Sequence, residues 1–155
     1  MRIAVVDGQG GRIGRAIVEK LKTAMPDVEI VALGTNSAAT GQMIRAGAND
    51  GATGENAIVH NMKYVDVVVG VIGIIDANSM MGELSPRMAQ AIGESRAYKV
   101  LLPMNRCNIH VVSVEDAPPL AFIWTTRSVR SKSMSKSDTI YIHKQKKIGN
   151  KNKMF

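Results

Sequence analysis

Residues 2–15 read RIAVVDGQGGRIGR, and this stretch decides the fold. A short apolar run ends in an acid and a cluster of glycines, and apolar residues then recur at helical spacing as far as Ala24. A strand, a glycine-rich turn and a helix in this order are typical of the first unit of a nucleotide-binding domain. Glycines permit a tight turn there, and the helix N-terminus offers free amide groups to an anion.

The alternation of strands and helices continues along the chain. Further strands are predicted at residues 28–33, 50–52, 65–72, 98–102 and 109–114. Further helices are predicted at residues 37–46, 54–64, 78–81 and 85–92. Such alternation indicates parallel pairing through right-handed crossovers. We therefore expect an α/β fold with three αβα layers, a doubly wound, Rossmann-like parallel sheet whose strands lie in the order 3-2-1-4-5.

Basic residues are concentrated towards the C-terminal end of the chain. Residues 1–116 contain 11 Lys and Arg against 12 Asp and Glu, whereas residues 117–155 contain 9 against 1. We therefore predict a nucleotide-binding domain at residues 1–116 and a basic, poorly structured tail at residues 117–155. Because the body carries no positive excess, we do not expect it to bind nucleic acid.

Composition also restricts the compartment and the type of site. No stretch approaches the roughly 20 apolar residues of a membrane span, and the first apolar run meets a charge too soon for a signal peptide. The single cysteine, Cys107, excludes an internal disulfide and a cysteine-rich metal site. We expect a cytoplasmic protein with no membrane partner and no metal, and we consider a homodimer.

The glycine loop resembles that of a known enzyme family. Its glycines are Gly8, Gly10, Gly11 and Gly14. Residues 8–15 resemble the loop of dihydrodipicolinate reductase, a nicotinamide enzyme whose motif reads Gly-x-Gly-Gly-Arg-Met-Gly-Arg, with Ile13 in place of the methionine. The resemblance implies binding of an NAD(P)-type dinucleotide, with Arg12 near a phosphate. The alternative interpretation is a glycine turn that only packs the helix on the sheet.

The end of the second strand decides which dinucleotide we expect. An NAD site has an acid about 20 residues past the loop, which holds the ribose hydroxyls. This sequence has Thr35 and Asn36 there instead, and the next acid after them is Asp50. Hydroxyl and amide donors near Arg12 suit a 2′-phosphate better, so we predict NADP(H) as the cofactor, with NAD(H) as the alternative.

The carboxyl ends of neighbouring parallel strands meet at one crevice, which collects the candidate site residues. Those expected to bind the cofactor are Gly8, Gln9, Gly10, Gly11, Arg12, Ile13, Gly14, Thr35, Asn36, Gly70, Gly73, Asn78 and Ser79. A polar cluster after the fifth strand is the candidate substrate site: Asn105, Arg106, Cys107 and Asn108. The alternative for that cluster is an ordinary turn, and no residue is assigned a catalytic role.

Catalytic groups of the reductase have no counterpart in this sequence. A dihydrodipicolinate reductase needs a C-terminal substrate domain that contains a histidine- and lysine-rich segment. We expect this chain to be too short to hold that domain. The histidines His60, His110 and His143 are isolated from acids and from one another. The resemblance therefore implies binding and does not imply reductase activity.

Residues 1–116 as a whole resemble a small, uncharacterised bacterial family of domain-of-unknown-function proteins. The shared stretches are 5–11 (VVDGQGG), 32–36 (ALGTN), 51–56 (GATGEN), 73–75 (GII) with 77–80 (ANSM), and 103–108 (PMNRCN). The resemblance implies a Rossmann-type fold without an assigned reaction. It also implies an acidic amphipathic helix at the C-terminal end, which the basic tail does not match.

Two hypotheses address the basic tail. Back-translation of residues 122–128 (FIWTTRS), with the first two bases dropped, can encode His-Leu-Asp-Asp-Ala-Val, a suitable start for an acidic helix. We hypothesise that residues 117–155 are read out of frame or are otherwise non-native. The rival hypothesis is a natural basic arm that contacts nucleic acid or an anionic membrane.

These observations predict a Rossmann-type nucleotide-binding protein whose partner is a small nucleotide, NADP(H) being favoured. Its biological role stays unassigned, and a sensor or an accessory subunit would fit. Two alternatives stay open: a small enzyme that acts through residues 105–108, and a nucleic-acid-binding module that uses the tail.

Overall fold

Strands and helices alternate through residues 1–104 and 109, which are the residues that the computed structural model describes. The strands are β1 (Arg2–Asp7), β2 (Glu29–Gly34), β3 (Asp50–Thr53), β4 (Val67–Val71) and β5 (Tyr98–Leu102). The helices are α1 (Arg12–Ala24), α2 (Ser37–Arg45), α3 (Glu55–Asn61) and α4 (Pro86–Glu94). All strand pairs are parallel and the order is β3-β2-β1-β4-β5, so the predicted doubly wound α/β fold is confirmed.

The central strand β1 is buried on both faces and divides the core in two. Ile3 and Val5 face the layer of α1 and α2, while Ala4 and Val6 face the layer of α3 and α4. Side chains alternate between the two faces of a strand, so an unbroken apolar run is what a sheet covered on both sides requires. This burial explains why residues 3–6 of the first strand are all apolar.

The sheet register sets which loops meet at the carboxyl edge. Asp7 at the end of β1 lies opposite Gly34 at the end of β2. On its other side β1 pairs with β4, where Val5 lies opposite Val69. The loops that follow β1, β2 and β4 therefore emerge at the same edge of the sheet.

Polar side chains cap the start of two helices. Ser85 precedes Pro86 at the start of α4, and its hydroxyl accepts a hydrogen bond from the Met88 amide at 3.2 Å. Asn36 caps α2 by accepting from the Ala39 amide at 2.9 Å. Side chains of this type are common helix caps because they satisfy backbone donors that the first turn leaves unpaired.

The segment between β4 and α4 differs from the prediction. β4 ends at Val71, and a 3₁₀ turn, Ile72–Ile75, follows it. The helix predicted at residues 78–81 does not form, and a second 3₁₀ turn, Met80–Gly82, lies there instead. The physical reason is backbone conformation, because Asn78, Met80 and Met81 all have positive φ values that an α-helix does not accommodate.

Predictions for the C-terminal part lie outside the described residues. They concern the strand at residues 109–114, of which only Ile109 is described, and the tail at residues 117–155. Among the helices that the structure describes, none combines the length and the apolar character needed to cross a membrane.

Candidate functional site

A cleft of about 150 Å³ lies at the carboxyl edge of the sheet, beside the ends of β1 and β4. The strand order reverses at this point, since β1 pairs with β2 on one side and with β4 on the other. Ligand sites of open α/β sheets lie at such a reversal. The first loop lines the cleft with Asp7, Gly8, Gln9 and Ile13. Gly73, Met80 and Met104 line the opposite side.

Packing explains three of the four loop glycines. Gly11 has a φ of +68°, and a Cβ there would lie 2.6 Å from the Cα of Ala39. A Cβ at Gly14 would lie 2.7 Å from the Cβ of Asp7, and one at Gly8 would lie 2.6 Å from the Thr35 hydroxyl. Gly11 is therefore required by its backbone conformation and by the Ala39 backbone, whereas a larger residue at Gly8 or Gly14 would force neighbouring side chains to shift.

Gly10 differs from its neighbours because a Cβ there would meet nothing within 4 Å. The residue is exposed, and its φ lies outside the left-handed region. No contact of the described residues therefore requires a glycine at this position, and the backbone of Gly10 is open to an approaching molecule.

The carboxylate of Asp7 accepts hydrogen bonds from backbone amides around the start of α1. Its Oδ1 accepts from the Gly8 amide at 2.9 Å, and its Oδ2 accepts from the Gly14 amide at 2.6 Å. The N-cap residue of α1, Gly11, has no side chain, so Asp7 supplies the cap from the end of β1. Asp7 is only 6% exposed, and burial raises its pKa above the usual 3.8, against the lowering effect of the Gly14, Gly8 and Ile13 amides.

The carboxylate of Glu83 accepts hydrogen bonds from the donors at the end of β2. A single oxygen, Oε2, accepts from the Gln9 amide at 2.7 Å, the Thr35 hydroxyl at 2.7 Å and the Asn36 side-chain amide at 2.8 Å. The hydrogen bond from Thr35, followed by that from Gln9, lowers the pKa of Glu83 below its usual 4.5, while burial opposes the shift. Sequence patterns gave no indication of this residue, because it lies 48 positions beyond Thr35 in another loop.

Other predicted residues near the cleft have structural partners. The Ser79 hydroxyl is buried and donates to the Gly73 carbonyl at 2.6 Å. Gly70 lies within β4, where a Cβ would come within 2.7 Å of the Val6 carbonyl oxygen. Asn78 has a φ of +65°, and its amide donates to the Leu84 carbonyl at 2.8 Å. None of these three residues lines the cleft itself, and Gly70 allows β4 to lie close to β1.

Arg12 begins α1 at the rim of the loop. Its side chain is exposed, and among the described residues no acceptor or carboxylate is paired with its guanidinium. The predicted substrate residues Asn105, Arg106, Cys107 and Asn108 lie outside the described residues. The preceding residue, Met104, lines the cleft.

Among solved structures, the fold is similar to the crystal structure of a dodecameric FMN-dependent Ubix-like decarboxylase from Escherichia coli O157:H7. The two chains are 15% identical with a TM-score of 0.44, and the match covers 83% of this chain and 75% of that one. No curated protein matches the sequence.

The predicted cofactor, NADP(H) with NAD(H) as the alternative, is contradicted. The similar solved structure is described as FMN-dependent, not as a nicotinamide enzyme. A physical reason lies in the chain itself, because the Thr35 and Asn36 donors expected to hold a 2′-phosphate are bound to the Glu83 carboxylate. A phosphate placed there while Glu83 holds these donors would meet a like charge.

The resemblance to an uncharacterised family is confirmed. The family model described as "Domain of unknown function (DUF3842)" matches residues 2–134, which is most of the chain. The parallel sheet agrees with the Rossmann-like fold that the shared stretches imply. The chain therefore belongs to the DUF3842 family.

Proposed function

We propose that the protein binds a phosphate-bearing small molecule of mononucleotide type at the rim of the cleft, with the phosphate over Gly10 and Arg12. The observation that carries the proposal is which loop amides already have a hydrogen-bond acceptor. The amides of Gly8, Gln9, Gly11 and Gly14 all have acceptors within the protein. Those of Gly10 and Arg12 have no acceptor among the described residues.

Each free donor suits a phosphate oxygen. Backbone amides at the start of a helix point outward, and the helix dipole favours an anion there. The Arg12 guanidinium adds a charged, forked donor that matches phosphate geometry. Because Gly10 has no side chain and faces open space, a phosphate can approach its amide directly.

The two buried or bound carboxylates restrict the ligand. Asp7 already accepts hydrogen bonds from the inner amides of the loop, and Glu83 accepts them from the donors after β2. A second phosphate placed towards β2 would be repelled while the ionised Glu83, whose pKa is lowered, holds these donors, so it could bind there only by displacing that carboxylate. The site therefore favours a ligand with one phosphate group whose remaining part enters the cleft between β1 and β4.

An enzymatic role is the second candidate function. Met104 lines the cleft, and the polar residues 105–108 follow it directly in the sequence. A substrate in the cleft would therefore lie next to the point where this polar segment begins. No catalytic residue is assigned, and the proposal is limited to binding.

Calorimetric titration tests the proposal, with AMP, FMN, ATP and NADPH as ligands. We expect a mononucleotide to bind more tightly than NADPH, because the 2′-phosphate would first have to displace Glu83 from its three donors. Gly10→Asp should abolish binding without a change in melting temperature, since the new side chain meets no atom of the fold and places a negative charge where the phosphate lies.

Gly93→Asp is the matched control, because Gly93 also faces open space but lies in α4. Its ligand affinity should equal that of the wild type. The proposal is wrong if no mononucleotide binds, or if Gly10→Asp binds as tightly as Gly93→Asp.

A further inference from the structure

Three hydrogen-bond donors converge on one oxygen at the end of β2. They are the Gln9 amide, the Thr35 hydroxyl and the Asn36 side-chain amide, and each lies within 2.8 Å of Glu83 Oε2. The donors come from the loops after β1 and β2, whereas the acceptor comes from the segment before α4. Donors gathered in this way form an anion-binding arrangement, and its present anion belongs to the protein itself.

The acceptor lies on a segment in an unusual conformation, residues 78–84, here named the strap. Asn78, Met80 and Met81 have φ values of 65°, 56° and 61°, although none is a glycine. Left-handed backbone at such residues is unfavourable and persists only where surrounding contacts hold it. The strap is therefore poised to change conformation when its contacts are lost.

Glu83 supplies the contacts that hold the strap over the first two strands. Among the described residues, the hydrogen bonds from the strap to the loops after β1 and β2 all involve Glu83 Oε2. The other strap bonds run within the strap or back to residues 73–76, as from the Ser79 hydroxyl to the Gly73 carbonyl. Loss of the Glu83 contacts would free the strap from this side.

The strap also forms the wall between the cleft and the donors after β2. Met80 lines the cleft, and a Cβ at Gly8 would lie 2.7 Å from its sulfur and 3.0 Å from Glu83 Oε2. Movement of Met80 and Glu83 away from Gly8 would join the cleft to the space beside Thr35. The enlarged crevice would then offer the three donors to a bound molecule.

We infer that these three donors form an anion-binding subsite that Glu83 fills as a replaceable internal ligand, and that an external carboxylate or phosphate opens the strap by taking its place. The exchange breaks three hydrogen bonds to Glu83 and forms three to the incoming anion, so no donor is left unpaired. This subsite is separate from the Gly10 and Arg12 amides, and the inference does not depend on the proposed function.

Complementation of a variant tests the subsite with simple anions. Glu83→Ala removes the internal ligand and should melt at a lower temperature than the wild type. Sodium acetate or sodium phosphate, compared with sodium chloride at equal ionic strength, should raise its melting temperature by about 5 °C near tenfold the dissociation constant. Acetate and phosphate as separate arms show which anion the donors prefer.

Two controls show whether the anion occupies this subsite. Glu83→Gln keeps an acceptor in place and should gain no more from either anion than the wild type does. The double variant Glu83→Ala with Thr35→Val lacks one donor, so its gain should be largely lost. No gain in Glu83→Ala, or an equal gain in the double variant, overturns the inference.

Methionine oxidation tests opening of the strap in the wild type and does not require Glu83→Ala to fold. Met80 is 9% exposed and Met81 is 97% exposed, so Met81 is an internal reference for oxidation by hydrogen peroxide. In saturating acetate or phosphate, the ratio of Met80 to Met81 sulfoxide formation should rise severalfold over that in chloride. An unchanged ratio in both anions overturns the opening of the strap.

Discussion

Hydrogen-bond donors lie on both sides of the glycine loop, but they are bound to carboxylates on one side and open on the other. Towards β2, the donors of Thr35, Asn36 and Gln9 are bound to a carboxylate, and a second carboxylate occupies the inner amides. Towards solvent and the cleft, the amides of Gly10 and Arg12 have no acceptor among the described residues. The comparison teaches that a glycine-rich loop does not by itself specify a dinucleotide, because the protein's own carboxylates can bind donors that would otherwise be open to a ligand.

Substitution of two adjacent glycines separates the packed side of the loop from the open side. Gly11→Ala should lower the free energy of unfolding by about 3 kcal/mol, since the backbone is left-handed and the methyl group meets the Ala39 backbone. Gly10→Ala should change it by less than about 0.5 kcal/mol. Urea denaturation of both variants measures the difference, and equal losses would contradict the packing argument.

Removal of the Asp7 charge should have the next largest effect. Asp7→Asn places an NH₂ group against the amide of Gly8 or Gly14, so one buried donor loses its acceptor. We expect a loss of about 2 kcal/mol in the free energy of unfolding.

Asp27→Asn is the control for this change, because Asp27 is exposed and should tolerate the amide. The role of Asp7 as the cap of α1 is wrong if both variants melt at the same temperature as the wild type.

Much of this architecture could be predicted from residues 2–15 and from the alternation that follows. The strand order and the helix start at Ser85 come from local patterns, namely period, turn residues and helix starts. Glu83 could not be found in that way, because its partners are up to 74 positions away and no periodic pattern marks it.

The wrong prediction of the cofactor followed directly because Glu83 could not be found from the sequence. The segment after β2 contains no acid, and the prediction treated Thr35 and Asn36 as donors available to a ligand. The fold brings in an acid from the segment before α4 and saturates both side chains. A local motif shows which donors exist, whereas only tertiary structure shows which of them are already bound.

Acidification distinguishes the two carboxylates. The pKa of Glu83 is lowered, so its contribution to stability is present above pH 4.5 and is lost as the pH falls through the lower pKa of the folded state. The stability advantage of the wild type over Glu83→Gln should therefore shrink below pH 4.5. Asp7 acts in the opposite direction, because its raised pKa means that stability falls as the pH rises above 3.8.

Denaturant titrations of the wild type and Glu83→Gln across this pH range measure the effect. A stability difference that grows on acidification would show that the Glu83 carboxylate is not held by its three donors.

Arg12→Ala should have the smallest effect on the fold and a clear effect on binding. The exposed guanidinium has no partner among the described residues, so the free energy of unfolding should change by less than about 0.5 kcal/mol. Affinity for a mononucleotide should fall about tenfold, since a charged hydrogen bond to phosphate is lost.

Arg15→Ala is the matched control, because Arg15 is paired with Glu19 on the exposed face of α1. Its removal should leave ligand affinity unchanged. If the two variants lose affinity equally, the effect is one of general charge and Arg12 does not contact the phosphate.

The most direct test follows the loop amides by NMR while AMP or FMN is titrated into the isotope-labelled protein. The amide signals of Gly10 and Arg12 should shift with the added ligand, whereas those of Gly8 and Gly14 should stay in place, because Asp7 already binds them. Shifts at Gly8 and Gly14 without shifts at Gly10 and Arg12, or no shift at any of the four, would contradict the division of the loop into a filled side and an open side.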